Sequence, residues 1–247
     1  MRDREQAPLR IRFELPASIR QLTIALASVS VGLIAVSAVV ESAILLGGSG
    51  VWVSLRSILS ADLEQTIPAW FAASLLFLGA MLALTVWNRS DEHRWPWMVL
   101  AGVLLAMSAD ETIGVHERIG ARLHEALNTG GLLFFAAVIP GAVIAIVLVV
   151  GFTPLTKGLA QGVRRPFVLA AALFFGAVVG LEALGGLTVD SIGRKTFAYV
   201  LEVHAEELLE LLGVTSMIYA LATQLDQLSA AAPSPAPVES VGEAPVG

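Results

Sequence analysis

Four stretches of this chain, Leu22 to Leu46, Ile67 to Trp87, Leu132 to Phe152 and Phe167 to Leu187, are apolar almost throughout. A helix needs about 20 such residues, at a rise of about 1.5 Å each, to cross the hydrocarbon of a bilayer. Runs of that length leave little room for any other fold. The composition agrees: 56% of the 247 residues are hydrophobic and 15% charged, against about 45–50% and about 25% in soluble domains. A soluble enzyme and a disordered scaffold are thereby excluded. The formal charge of −6 opposes affinity for phosphate backbones, so nucleic acid is not an expected partner. The chain has no cysteine, which removes disulfides, thiolate metal sites and cysteine nucleophiles.

Two further segments are interrupted by charge. Pro96 to Ala109 is apolar but short, and continues into Asp110-Glu111-Thr112-Ile113-Gly114-Val115-His116-Glu117. Phe197 to Ala222 is long enough, but contains Glu202, His204, Glu206, Glu207 and Glu210. Both read as spans, because shorter helices would leave backbone groups unpaired in hydrocarbon. The expected fold is an all-α, polytopic membrane helix bundle of six transmembrane helices with short loops, over about 22–46, 67–87, 96–117, 132–152, 166–187 and 196–222. A basic arm over 1–20 precedes it. The Ala-, Pro- and Ser-rich tail over 228–247 buries too little apolar surface to order itself.

Arg2, Arg4, Arg10, Arg12 and Arg20 crowd the start of the chain. Placing them in the cytoplasm puts Arg89, Arg94, Lys157, Arg164 and Arg165 on the same side. Arg56, Arg118, Arg122, Arg194 and Lys195 then lie outside, a two-to-one bias of the positive-inside kind. The expected location is the cell membrane, with both termini cytoplasmic. Trp52 and Trp70 would mark the outer interface, and Trp87, Trp95 and Trp97 the inner one. The first span is too long for a cleavable signal and reads as an uncleaved anchor. Between the first two spans, Val51, Leu55, Ile58, Leu59 and Leu63 recur at helical spacing, as in an amphipathic helix lying on the outer surface.

Depth arithmetic gathers the acids. Asp110 falls roughly 20 Å from Trp97, Glu182 about 24 Å from Pro166, and Glu202 and Glu206 about 9 and 15 Å from Thr196 on the descending helix. These lie in the outer half of the bundle, with Glu41 at its outer edge, where it reads as interfacial. Asp110, Glu117 and His124 form one stripe if their helix is continuous, and Tyr199, Glu202, Glu206 and Glu210 form another. Glu111 and His204 point away from these stripes. Gly176 and Gly180 make a small-xxx-small step that favours close helix approach. The alternative for Asp110 to His124 is a solvated amphipathic helix, and for the last span a face lining a water-filled cavity.

Charge inside a span costs about 2.5–3.5 kcal/mol or more per residue, and no Lys or Arg falls within the apolar spans to answer these acids. Such carboxylates must share protons, hold a cation or be bathed in water. The candidate binding set is Asp110, Glu117, Glu182, Glu202 and Glu206, with His116, His204 and Glu210 as further candidates. Imidazole suits a transition metal, whereas an excess of acids suits protons or hard cations. His116 lies about 120° around a continuous helix from Asp110, so the two could share an ion only through a neighbouring helix.

Known metal patterns fail on inspection. The Glu-x-x-His pairs of di-iron bundles are absent, and Gly120 stands where an HExxH motif needs its second His. Ser108, Asp110 and His116 match part of an alkaline-ceramidase-like zinc set, without its paired His. Three functions follow as expectations. One is binding of protons or a divalent metal ion coupled to transport. The second is a metal-dependent hydrolase or other lipid-modifying enzyme embedded in the membrane, and the third a structural subunit with a polar docking face. The expected partners are the lipid bilayer, protons or a metal cation, and a second copy of the chain in a homo-oligomer.

Overall fold

The computed structural model describes residues 19–90 and 94–231. The basic arm before Ile19, His93 and the tail beyond Ala231 lie outside the described residues. All regular structure among the described residues is helical, and six helices are long and apolar enough to cross a membrane. They are α1 (Ile19–Leu45), α3 (Ile67–Arg89), α4 (Arg94–Ile113), α6 (Val138–Gly158), the compound helix Gln161–Ile192 and α9 (Phe197–Ala231). The short helices α2 (Val51–Leu59) and α5 (Val115–Leu127) lie between these long helices. α2 matches the amphipathic segment expected there, although it stops at Leu59.

Local chemistry sets several of these borders. Thr66 opens α3 by accepting the Ala69 N–H at 3.4 Å, with a proline in the first turn. Gly114 ends α4 with φ +66°, a left-handed conformation in which a side chain is strained. The chain restarts there as α5, so the expected single helix through Asp110, Glu117 and His124 does not exist. The fifth span is also not uniform. It consists of α7 (Gln161–Phe175), a π-helical turn (Gly176–Leu181) and α8 (Glu182–Ile192).

α9 is the central post, packing on α1, α3, α7 and α8, while α3 and α4 form a tight pair. Ala80, Ala83 and Val86 of α3 and Ala220 and Leu221 of α9 are fully buried, so small side chains let the backbones approach. Gly213 does the same against α7, since a Cβ there would stand 3.0 Å from the Phe174 nitrogen. Gly176 and Gly180 do not: nothing lies within 4 Å of a Cβ at either position. Their expected packing role passes to Gly213, Gly185 and Gly186, while they themselves fall within the π-helical turn. Trp97 packs inside the bundle instead of facing outward. It is 2% exposed and meets Phe167 edge-on, with ring centroids 6.2 Å apart.

Candidate functional site

At one end of the bundle α1, α4 and α8 finish, and α3, α6 and α9 begin. The acids meet at this polar end, in two sectors.

In the first sector the segment between α2 and α3 is tied down by charge. Arg56 Nε donates to both Glu41 oxygens at 2.8 and 2.9 Å, and its terminal nitrogen lies 3.3 Å from Asp62. Ser60 donates to Glu41 at 2.5 Å, and the Tyr199 hydroxyl to Asp62 at 2.7 Å. Glu41 is therefore buried and ion-paired, not idle at the interface as expected. Burial pushes the Asp62 carboxyl above its ordinary range, against the Tyr199 hydrogen bond and the nearby Arg194. His204 belongs to this scaffold. Its Nδ1–H donates to the Val200 carbonyl at 2.6 Å, and its Nε2 accepts from Ser37 at 2.8 Å. Ser37 in turn accepts the Ala61 N–H at 2.7 Å. Both ring nitrogens are used, so His204 links α1, the loop and α9 and has no lone pair left for a metal.

The second sector is built on the break at Gly114. Asp110 Oδ1 accepts the N–H groups of Val115 and His116 at 3.0 and 3.1 Å, satisfying two orphan donors at the start of α5. Its Oδ2 takes the His116 Nδ1–H at 2.6 Å. The left-handed turn thus makes the direct Asp110–His116 contact that a continuous helix forbids. Burial alone would lower the His116 pKa. The charge and hydrogen bond of Asp110, with Glu117 and Glu182 beyond, outweigh it and raise the pKa above its ordinary value.

With Nδ1 held by Asp110, the Nε2 of His116 is the nitrogen left for a ligand. His116, Glu117 and Glu64 can each offer one ligand atom, all within 4.8 Å of one another. Two bonds of about 2.3–2.6 Å to a hard cation bridge such a gap, and shorter zinc bonds do so with a small inward shift. Burial, and then the neighbouring Glu117, raise the Glu64 carboxyl above its usual range, and one of its oxygens is buried without a partner.

Deeper in the bundle, Glu182 stands close enough to His116 and Glu117 to feel both charges. Glu202 approaches Glu206 and the Gly185 backbone, and its Oε1 is buried without a hydrogen-bond partner. Gly185 is required here, because a Cβ would overlap the Glu202 carboxylate. Glu206 feels Glu202, Glu182 and Glu207, and Glu210 feels Glu206, Glu111 and Glu182. Among the described residues no lysine or arginine forms an ion pair with Glu111, Glu182, Glu202, Glu206, Glu207 or Glu210.

Asp110, Glu117, Glu182, Glu202, Glu206 and Glu210 thus come together with His116, whereas His204 stands apart. Sequence reasoning missed Asp62 and Glu64, which sit in a loop where acids are unremarkable. It also turned Glu111 away from a neighbourhood in which it faces Glu64 and Glu207. The pair of acids just ahead of the Thr66 cap was the available signal.

Among curated proteins and solved structures nothing matches this chain. A family does match, over residues 21–225, and the chain belongs to it: the family described as Domain of unknown function (DUF8692).

Proposed function

We propose that the polar end binds cations, with a divalent ion at Glu64, His116 and Glu117 and protons on Glu182, Glu202, Glu206 and Glu210, and that the exchange of these charges drives transport across the membrane. The observation that carries this reading is the one-sided electrostatics. Acids from α4, α5, α8, α9 and the loop before α3 converge, Arg56 is committed to Glu41 and Asp62, and Arg118 offsets Glu64 only in part, burial and Glu117 outweighing it. Carboxylates at such distances repel one another in low dielectric unless protons or a cation intervene. Each arriving cation therefore competes with bound protons, which is the elementary requirement for coupling.

The polar end lies on the outer face in this reading, by the bias of lysine and arginine. Asp110 holds His116 by one ring nitrogen, as second-shell carboxylates hold metal-ligating histidines. That pairing also favours a second reading, a membrane-embedded hydrolase in which a bound metal activates water beside Glu117.

Proteoliposomes holding a divalent-ion dye and a pH dye separate the two. Transport predicts Mn²⁺ entry accompanied by a lumenal pH change in wild type, and neither in a folded, inserted Glu206→Gln protein. Equal fluxes in wild type and variant would sink the transport reading.

A further inference from the structure

The pairing of Asp110 with His116 narrows the ions that the cluster at Glu64, His116 and Glu117 can prefer. Asp110 Oδ2 takes the His116 Nδ1–H at 2.6 Å. That bond holds the ring in the tautomer that presents Nε2 as an imidazole donor. The cluster therefore sets one nitrogen beside two carboxylates, with one ligand atom from each residue and all three within 4.8 Å of one another.

Further oxygen is scarce around that nitrogen. Ca²⁺ takes about 6–8 oxygen ligands, and Mg²⁺ demands a near-octahedral oxygen shell. The adjoining carboxylate is already spent. Asp110 Oδ1 accepts the Val115 and His116 N–H groups at 3.0 and 3.1 Å, and Oδ2 holds the ring. Turning Asp110 onto an ion would uncap α5 and release His116. Negative charge is reduced as well, because Arg118 offsets part of the charge on Glu64. Ions held by charge alone lose most by that, whereas an ion with a strong bond to imidazole nitrogen keeps it.

The chain that carries Glu64 is pinned on both sides. Before it, Ser60 donates to Glu41, Ala61 N–H to Ser37, and the Tyr199 hydroxyl to Asp62. After it, Gln65 has φ +61°, a left-handed conformation uncommon for a residue with a side chain. A ligand on a fixed segment favours a small ion with few protein donors over a large one that gathers many.

We propose that this site selects a borderline transition-metal divalent ion, of the Fe²⁺ to Zn²⁺ kind, over Mg²⁺ and Ca²⁺, with His116 as the selecting ligand and Asp110 as its positioning residue. This rests on the cation-binding reading above and names its ion class.

The test uses the full chain in phosphatidylcholine nanodiscs, with Mn²⁺ as probe and Zn²⁺, Mg²⁺ and Ca²⁺ as competitors. Mn²⁺ binds most weakly in its series, so Zn²⁺ should displace it readily. In wild type Zn²⁺ should act at a concentration about a hundredfold or more below that of Mg²⁺ or Ca²⁺. Electron spin-echo modulation of the bound Mn²⁺ should show a coordinated nitrogen, and isotopic labelling of the histidine nitrogens should alter that signal. His116→Gln offers an amide oxygen instead. It should lose the nitrogen signal and cut the Zn²⁺ preference to about tenfold or less. Asp110→Asn should keep the signal and weaken Zn²⁺ binding about tenfold, leaving that of Mg²⁺ unchanged.

Equal displacement by Zn²⁺ and Ca²⁺, or bound Mn²⁺ with no nitrogen coupling, overturns the proposal. If protons are still released as Mn²⁺ binds, the cation-binding reading survives that result. Absence of saturable Mn²⁺ binding overturns both. Nitrogen-coupled, Zn²⁺-selective binding with no proton release supports the ion class and removes the coupling. The competitor and nitrogen measurements on wild type stand without the variants, so a variant that fails to fold does not spoil them.

Discussion

Asp110→Asn tests the geometry at the helix break. The Asp110 carboxylate accepts two backbone N–H groups, at 3.0 and 3.1 Å, and the His116 ring N–H at 2.6 Å. An asparagine carbonyl can keep the backbone bonds and so most of the cap, but it gives up the charge. A hydrogen bond to a charged group contributes about 1.5–3 kcal/mol, against about 0.5–1.5 for a neutral one. The side chains of Asp110 and His116 are 31% and 49% exposed, so solvent screening reduces the difference to about 0.5–1 kcal/mol.

The pH dependence has a definite sign. The His116 pKa is raised in the fold, so its contribution is complete below the unfolded value of about 6.5 and fades as pH rises through the folded one. Wild type should therefore exceed Asp110→Asn in stability most at about pH 5.5–6, and by less at about pH 9. Unfolding of detergent-solubilised protein across that range measures the gap, and histidine NMR titration reads His116 itself. In the variant His116 should titrate at lower pH, because the Asp110 charge, the largest influence opposing burial, is gone. A gap that widens with pH, or a His116 that titrates no lower, would refute the reasoning.

Other perturbations follow from the same contacts. Arg56→Met strands Glu41 and Asp62, whose side chains are 11% and 16% exposed, and Arg56 itself is 34% exposed. The loss of stability should be about 1–3 kcal/mol, discounted from the buried-pair range, and adding Glu41→Gln should recover part of it in unfolding measurements. Gly213→Ala drives a Cβ to 3.0 Å from the Phe174 nitrogen and 3.1 Å from the Ala170 oxygen, and should cost about 1–3 kcal/mol by overpacking. Gly176→Ala meets nothing within 4 Å and should be neutral or stabilise by up to about 1 kcal/mol. Parallel unfolding curves of these two variants decide whether α9 or the π-helical turn provides the close helix approach.

The apolar run lengths made six helices long and apolar enough to cross a membrane legible, because bilayer thickness sets a length that sequence alone can meet. The convergence of Asp110, Glu182, Glu202 and Glu206 was legible for a related reason: rise per residue converts position into depth. What depth cannot supply is rotation after a break. Gly114 looks like any glycine inside a helical pattern, yet its left-handed turn reverses the relation between Asp110 and His116. The loop acids gave only a weak signal, as a pair ahead of the Thr66 cap, since Asp62 and Glu64 acquire meaning only when the chain from Arg56 to Thr66 folds onto Glu41 and Tyr199. Gly176 and Gly180 show the converse. Their spacing carries a helix-packing signal, and the π-helical turn consumes it.

The central claim is that the polar end holds a cation in competition with protons. Equilibrium Mn²⁺ binding to nanodisc-embedded protein in weak buffer, followed by electron paramagnetic resonance with simultaneous pH recording, tests it most directly. About one Mn²⁺ per chain should bind with release of protons, and a Glu64→Gln, Glu117→Gln double variant should lose both signals. Mn²⁺ bound no more tightly to wild type than to that variant, or bound with no proton released, would contradict the account.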